Sequence, residues 1–299
     1  MIRKIIYIYN PISGTKRKDA LLKKIEIATK ARNLHFEFLV ADPKGNYKSL
    51  RKRIEHEKIT DIVIVGGDGT VSQVTGSLRN CHVKFGIIPA GSGNGLAYTA
   101  GIPKNANRAL QIIFNESSKK TDAFLINNYY ACMLSGLGFD AAIAHKFAEL
   151  PNRGLSTYIQ QTLLHFFKAS TYRFEIITDG HSLFTDAYFI SIANSNQFGN
   201  NVTIAPKAML NDGLLDIVIV QKMHKARLAF AVLKQIRGNN KLQLLAENNS
   251  EKAVLYFQTD ALTIRNLKHA PLHIDGDPYK TADEFNIEIL KDCFELIRP

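Results

Sequence analysis

The chain has 299 residues, 45% of them apolar and 9% aromatic, an ordinary globular balance that excludes disordered and fibrous classes and leaves one large domain or two medium ones. Lys and Arg number 38 against 27 Asp and Glu, a net charge of +11. That surplus points to anionic partners: phosphates, nucleic acid or an acidic membrane face.

Lys4–Tyr9 is a short β-branched run that predicts a strand, after which Leu21, Leu22, Ile25 and Ala28 share one face of a helix. His35–Val40 alternates as a half-buried strand, and Tyr47–Lys58 reads as a heavily charged surface helix. Asp61–Val65 and Lys84–Ile88 are continuous apolar runs, the pattern of strands covered on both faces, with a helix predicted over Val71–Leu78 between them. Strands alternating with helices give a parallel sheet with right-handed crossovers. Ligands of such sheets sit at the carboxyl ends of the strands. From Thr121 the rhythm changes. Thr121–Ile126 and Tyr129–Ser135 flank Asn127-Asn128, a hairpin signal. Strand patterns recur at Tyr172–Thr178, Ala187–Asn194, Leu214–Val220, Val254–Thr259, Leu262–Ile264, Leu272–Asp275 and Phe285–Ile289. Helical patterns interrupt them at Thr157–Ala169 and Lys225–Ile236. The expected class is α/β with two domains. Residues 1–122 form a Rossmann-like nucleotide domain, and 123–299 a mainly antiparallel domain whose C-terminal tail is free to return to the first.

Three turns at strand ends share one chemistry. Asn10-Pro11-Ile12-Ser13-Gly14-Thr15 follows the first strand, with Lys16, Arg17 and Lys18 behind it. Gly66-Gly67-Asp68-Gly69-Thr70 follows the third, and Pro89-Ala90-Gly91-Ser92-Gly93-Asn94-Gly95 the fourth. Glycine lets backbone N–H groups reach an anion with no side chain in the way, and a following helix adds its positive end. One such loop is only a tight turn. Three on one sheet edge point to a nucleotide. There is no Gly-x4-Gly-Lys-Ser/Thr and no Gly-x-Ser-x-Gly, which excludes P-loop enzymes and the commonest serine hydrolase arrangement. Gly136-x-Gly138-x-x-Ala141 matches the dinucleotide fingerprint in outline. It lies in the hairpin-rich half, though, with no acidic residue ending a second strand about 20 residues on, so it is rejected as a cofactor site. Asp68 stands out. A carboxylate in a phosphate turn repels the ligand unless it orders the loop or meets a magnesium ion bridging the phosphates, the pairing that phosphoryl transfer uses. Capping of the turn is the plainer alternative.

Gly66–Thr70 and Pro89–Asn94 do not stand alone. With Asn10-Pro11-x-Ser13-Gly14, Asn211-Asp212-Gly213-Leu214-Leu215-Asp216 and Ile274-Asp275-Gly276-Asp277, the chain resembles the bacterial diacylglycerol kinase and sphingosine kinase superfamily of soluble lipid kinases. The resemblance implies an α/β nucleotide domain followed by a β-sandwich domain, with the active site in the cleft between them. It implies transfer of the ATP γ-phosphate to a lipid hydroxyl with Mg²⁺, and a catalytic part for Asp68. Nucleotide contacts are implied at Asn10, Pro11, Ile12, Ser13, Gly14, Gly67, Asp68, Gly69, Thr70, Val71, Ser72, Gln73, Ser92 and Asn94. A structural magnesium is implied on Asp212 and the backbone carbonyls of Met209 and Leu214.

The acceptor hydroxyl needs a general base. Where the family carries Asp-Gly-Glu, this chain has Asp275-Gly276-Asp277, one methylene shorter. Either Asp277 takes the glutamate's part, or Asp275 is the base and Asp277 orients it or touches magnesium. On residues alone, an Asp-Gly turn followed by Pro278 accounts for the same segment. Ser72-Gln73 stands where many members have Asn-Glu, and Gly199-Asn200-Asn201 where glycines are usual. The loop Gly91–Ala97 is similar to that of sphingoid-base kinases. Gly138-Phe139-Asp140 resembles a segment near the lipid side, where Asp140 either meets a polar head group or caps the helix beginning at Ala141. His273 shares a strand face with Asp275 and is expected to be solvated.

Lys16-Arg17-Lys18, Lys23-Lys24, Arg51-Lys52-Arg53 and Lys119-Lys120 are candidates for attraction to anionic lipid, worth ~1 kcal/mol per basic residue near the surface. His224–Arg237 carries an apolar stripe among basic residues, suited to an interface or, more simply, to packing on its own sheet. No basic-aromatic module for nucleic acid is present. No apolar run approaches the ~18–20 residues of a spanning helix, and Ile5–Tyr9 is too short for a secretory signal. Cys81, Cys132 and Cys293 stand far apart without a Cys-x-x-Cys, so a reducing cytoplasm is the default. The expectation is a cytoplasmic enzyme, transiently at the membrane surface, that converts diacylglycerol to phosphatidic acid. A sphingoid-base or ceramide kinase is the alternative among enzymes, and a catalytically silent nucleotide- or lipid-binding regulator the alternative outside them. Association into a homodimer is left open.

Overall fold

The structure is a computed structural model that describes residues 3–14, 18–149, 169–199, 202–223, 235, 237, 242–243 and 252–299. The helices expected over 157–169 and 225–236, and Asn200-Asn201, lie wholly or almost wholly outside the described residues. The chain divides into two compact units, Met1–Thr121 with Asp292–Pro299, and Asp122–Lys291. Among the described residues no helix is long and apolar enough to cross a membrane.

The first unit alternates β1 (Lys4–Tyr9), α1 (Asp19–Lys30), β2 (His35–Val40), α2 (Lys48–Glu57), β3 (Asp61–Gly66), α3 (Asp68–Leu78), β4 (Lys84–Pro89), α4 (Gly95–Thr99) and α5 (Ala106–Asn115). β1 pairs in parallel with β2 and β3, and β3 with β4, which gives the order β2-β1-β3-β4. The winding changes side between β1 and β3, so the loops that leave these two strands open on one crevice. β3 is buried along its whole length, as its unbroken apolar sequence requires. α5 has no counterpart in the sequence reading, yet its signals are plain. Asn105 accepts the N–H groups of Asn107 and Arg108 at 3.0 and 3.2 Å as an N-cap, and Ala109, Leu110 and Ile113 turn inward. The unit is completed from the far end of the chain. The last residues of β17 (Glu284–Ile297) run parallel to β4, Glu295 opposite Lys84 and Leu296 opposite Phe85. Phe294 meets Phe85 edge-on at 5.8 Å.

The second unit follows from β5 (Ser118–Ile126). Its elements are β6 (Tyr129–Ala131), β7 (Leu134–Gly138), α6 (Phe139–Glu149), β8 (Tyr172–Thr178), β9 (His181–Ala193), β10 (Gln197–Gly199), β11 (Val202–Thr203), β12 (Leu215–Gln221), β13 (Val254–Thr259), β14 (Ala261–Asn266), β15 (Leu272–Ile274), β16 (Asp277–Tyr279) and the start of β17. The strands run β16-β15-β7-β9-β8-β14-β17, and β12 pairs with both β9 and β13. These pairings are antiparallel. Phe124, Phe174, Ile190, Ile217, Phe257 and Phe285 lie in its core. Two of the differences from the sequence reading have a plain cause. The run Tyr129–Ser135 splits into β6 and β7, because Cys132 and Met133 turn their amides onto the Asp275 carboxylate. β9 starts at His181, since Asp179 and Gly180, both with positive φ, make a tight turn that pairs the polar stretch 181–186 with β8.

Asp216 on β12 is fully buried and accepts from the Tyr256 hydroxyl and, at 3.0 Å, from Gln258 Nε2. Burial pushes its carboxyl from near 3.8 up to about 6. Between those values the folded chain binds a proton that the unfolded chain releases. Stability from this group is therefore full at about pH 4 and lost as pH rises past 6, by about 3 kcal/mol. Urea midpoints measured at pH 4 and pH 7 should show this fall, and Asp216→Asn should flatten it.

Candidate active site

In the first unit the three glycine loops are tied to one another. Asn10 Nδ2 donates to Thr70 Oγ1 at 3.0 Å, while its Oδ1 accepts the Ile12 N–H at 3.1 Å. The Ala90 N–H donates to Gly66 O at 2.8 Å. Gly67 and Gly91 touch backbone to backbone, and a Cβ on Gly67 would stand 2.9 Å from Gly91 Cα. Lys18 joins the first loop to the third, its ammonium donating to Ala90 O at 3.0 Å beside Gly14. It is 8% exposed, and burial lowers its pKa. Sequence reasoning placed Lys18 on a docking surface. What it missed is that Lys18, at the N-cap of α1, is buried with its ammonium on Ala90 O. Asp68 stands in the first turn of α3, where the helix end favours a negative charge.

The expected nucleotide contacts divide by exposure. Pro11, Ile12, Gly14, Gln73 and Ser92 are exposed, and Ser13, Gly67, Asp68, Gly69 and Ser72 half-buried. Thr70, Val71 and Asn94 are buried. The Val71 side chain lies in the core, and its N–H donates to Gly67 O at 3.1 Å. Asn94, in a left-handed conformation, accepts the Gly91 N–H and donates to Gly91 O, both at 2.9 Å. These buried residues shape the loops. Glycine loops packed main chain to main chain, with the positive end of α3, an acid in its first turn and a lysine beside Gly14, fit a magnesium-bound polyphosphate.

The second unit holds the remaining acids. Asp212 Oδ1 accepts the Leu214 N–H at 3.1 Å, and Asp122 Oδ2 the Gly213 N–H at 2.8 Å. Desolvation raises the Asp212 pKa against the pull of the Leu214 N–H, and the Asp122 carboxylate adds to the rise. Asp212 on the turn and Asp122 reaching it from β5, with peptide oxygens at Met209 and Leu214, are donors of the kind that suit a hard divalent cation. Among the described residues no group of three or more His, Cys, Asp or Glu side chains surrounds such an ion.

Asp275 and Gly276, with φ of 49° and 87°, form the two-residue turn between β15 and β16, with Ile274 opposite Asp277. Positive φ at both positions is the type I′ hairpin turn, for which Asp-Gly is suited. Asp275 is 7% exposed, and its carboxylate accepts the N–H groups of Cys132, Met133 and Leu134 at 2.9, 3.0 and 3.1 Å. Asp277, two residues on, is exposed. Tyr279 packs edge-on against Tyr129 at 5.3 Å. Its pKa is raised by burial first and then by Asp277 and Asp275.

His273 is 4% exposed, not solvated as its strand position predicts. Its neighbour across the ladder is Gly136, which leaves the ring a space. A Cβ on Gly136 would strike both the Asp140 carboxylate and the His273 ring. The Gly136-x-Gly138 pattern thus serves packing: Gly136 makes room and Gly138 takes φ 97°. Asp140 is buried in the first turn of α6.

Several basic clusters are less available than their sequence promises. Arg53 is paired with Glu37 and Glu57, both at 2.7 Å. Arg51 donates to Ser77 O at 2.7 Å, and Lys119 to Pro299 O at 2.7 Å. Lys16 and Arg17 lie outside the described residues, whereas Lys23, Lys24, Lys52 and Lys120 are exposed.

Residues 4–126 match the diacylglycerol kinase catalytic domain family, and residues 135–288 match the YegS C-terminal NAD kinase beta sandwich-like domain. A Shewanella frigidimarina protein named "Probable lipid kinase YegS-like" is 26% identical over 81% of this chain and 78% of its own. A Staphylococcus aureus diacylglycerol kinase is 26% identical over 90% of this chain and 84% of its own. A solved structure of a diacylglycerol kinase from Bacillus anthracis superposes with a TM-score of 0.72 at 20% identity, over 99% of this chain and 97% of the other. A second structure from that organism reaches 0.78 at 23% identity, over 99% and 98%. Both likenesses are of fold. The catalytic and sandwich families fall on the chain in the order that the glycine loops and the acidic turns require, and the chain belongs to the diacylglycerol kinase and sphingosine kinase superfamily of lipid kinases.

Proposed function

We propose that the chain transfers the ATP γ-phosphate to a lipid hydroxyl, that of diacylglycerol, at a cytoplasmic membrane surface. The observation behind this reading is the joining of three glycine loops to one another, with Lys18 tied to the third and Asp68 in the first turn of the helix after the second. The loops at Asn10–Gly14, Gly67–Gln73 and Ser92 receive the phosphates, with the first-turn amides of α3 ahead of Val71 as donors, while Asn94 and Thr70 hold the loops in shape. Lys18 adds a positive charge near the phosphates. Mg²⁺ held at Asp68 would neutralise charge across the transferred phosphoryl group. Asp212, with the carbonyls of Met209 and Leu214, would hold a second ion of structural use.

Asp277 is exposed and takes the proton of the acceptor hydroxyl. Asp275, its oxygens given to three amides, is the anchor of the turn. Exposed Lys23, Lys24, Lys52 and Lys120 supply attraction to anionic lipid. The test is labelled ATP with a panel of diacylglycerol, sphingosine, ceramide and phosphatidylglycerol. Label is expected in phosphatidic acid. Label only on sphingosine or ceramide, which the Gly-Ser-Gly-Asn loop at 91–94 would favour, replaces the acceptor. No labelled lipid from an enzyme that binds ATP would overturn the transfer.

A further inference from the structure

We infer that His273 is a positioning residue for the acceptor side of this site: its ring, held by Asp140, binds the Gly276 N–H and so aims the turn that presents Asp277. The inference rests on the reading of Asp277 as the base. His273 Nδ1 lies 3.3 Å from the Gly276 nitrogen. A backbone amide can only donate, so Nδ1 is the acceptor and the ring proton sits on Nε2. That nitrogen is 3.4 Å from Asp140 Oδ2, and Asp140 Oδ1 accepts the Ala141 N–H at 2.8 Å. One directed chain of hydrogen bonds thus runs from the tip of the hairpin to the first turn of α6. His145, farther along α6, donates to Leu272 O at 2.8 Å, so the helix grips β15 at two consecutive residues.

The tip needs such a hold. A Cβ placed on Gly276 would meet nothing within 4 Å, so packing does not keep this residue in place. Asp275 is fixed by its three amide donors. Gly276 is the remaining freedom between that anchor and Asp277, and the imidazole removes it. The ring fits only because Gly136 has no side chain.

Two substitutions separate the ring's two contacts. Asparagine puts its oxygen near the place of Nδ1 and keeps the acceptor for Gly276. Glutamine reaches toward Asp140 and gives that acceptor up. His273→Asn should keep kcat within about threefold of the parent, and His273→Gln should lower it about 10–100-fold, with KM for ATP unchanged and thermal stability no lower than that of His273→Asn. In the unmodified enzyme the Gly276 amide should exchange with deuterium at least about tenfold more slowly than a solvent-exposed turn amide, and His273→Gln should abolish that protection. Exchange of Gly276 at the open rate in the unmodified enzyme would overturn the inference without any variant. So would equal kcat in the Asn and Gln variants. Asp277→Asn is run beside them. If it stays active the base reading falls, whereas its loss of turnover alongside a silent His273→Gln removes only the positioning role.

Discussion

Asp277→Asn is expected to lower kcat about a thousandfold, the usual size for removal of a general base, with ATP affinity and the urea midpoint unchanged. The side chain is exposed at the start of β16, so the amide has space. Asp275→Asn should behave differently. Its carboxylate accepts three backbone N–H groups, and an amide NH₂ turned onto that row sets donor against donor. A loss of about 1–3 kcal/mol in stability is expected for each amide left unsatisfied in burial. Steady-state kinetics and urea titration of both variants separate chemistry from support. Full activity in Asp277→Asn would sink the base assignment.

Gly91→Ala is the second large effect. A Cβ there would run into the Gly67 backbone and stand 3.1 Å from Asn94 Oδ1. No rotamer relieves a clash with main chain, so the second and third loops must part. Overpacking of this kind costs about 1–3 kcal/mol, and borne by the bound state it weakens ATP about tenfold to a hundredfold. Gly180→Ala is the control. Gly180, unlike Gly91, has positive φ, at 73°, and a Cβ there meets nothing within 4 Å, so it should cost some stability and leave ATP affinity alone. Calorimetric titration with ATP and Mg²⁺ reads the difference. Unchanged affinity in Gly91→Ala would show that the cradle does not hold the nucleotide.

The loops were legible because glycines at strand ends announce themselves in one dimension, and β3 and β4 because continuous apolar runs have few other homes. What lay hidden depends on residues distant in sequence. Nothing within Arg51-Lys52-Arg53 says that Glu37 has come to meet Arg53. His273 reads as a half-exposed strand residue until Gly136 is found across the ladder. Asp275 and Asp277 look equivalent in Asp-Gly-Asp. Only the amides of residues 132–134, more than 140 positions earlier, tell an anchor from an exposed acid. The inward turn of Lys18 and the bonds of Asn94 within its own loop were hidden for the same reason, since the partner of each belongs to a loop folding back on itself or on another.

The return of Asp292–Pro299 to the first unit has a consequence for how the protein is made. Chains emerge from the ribosome amino end first, and early domains usually fold before later ones are translated. Here Phe294 and Leu296, which pack beside Phe85 and β4, are synthesised only after the whole second unit. The sheet carrying the glycine loops is begun first and finished last, so a nascent chain completes the support of those loops only when translation has passed the second unit.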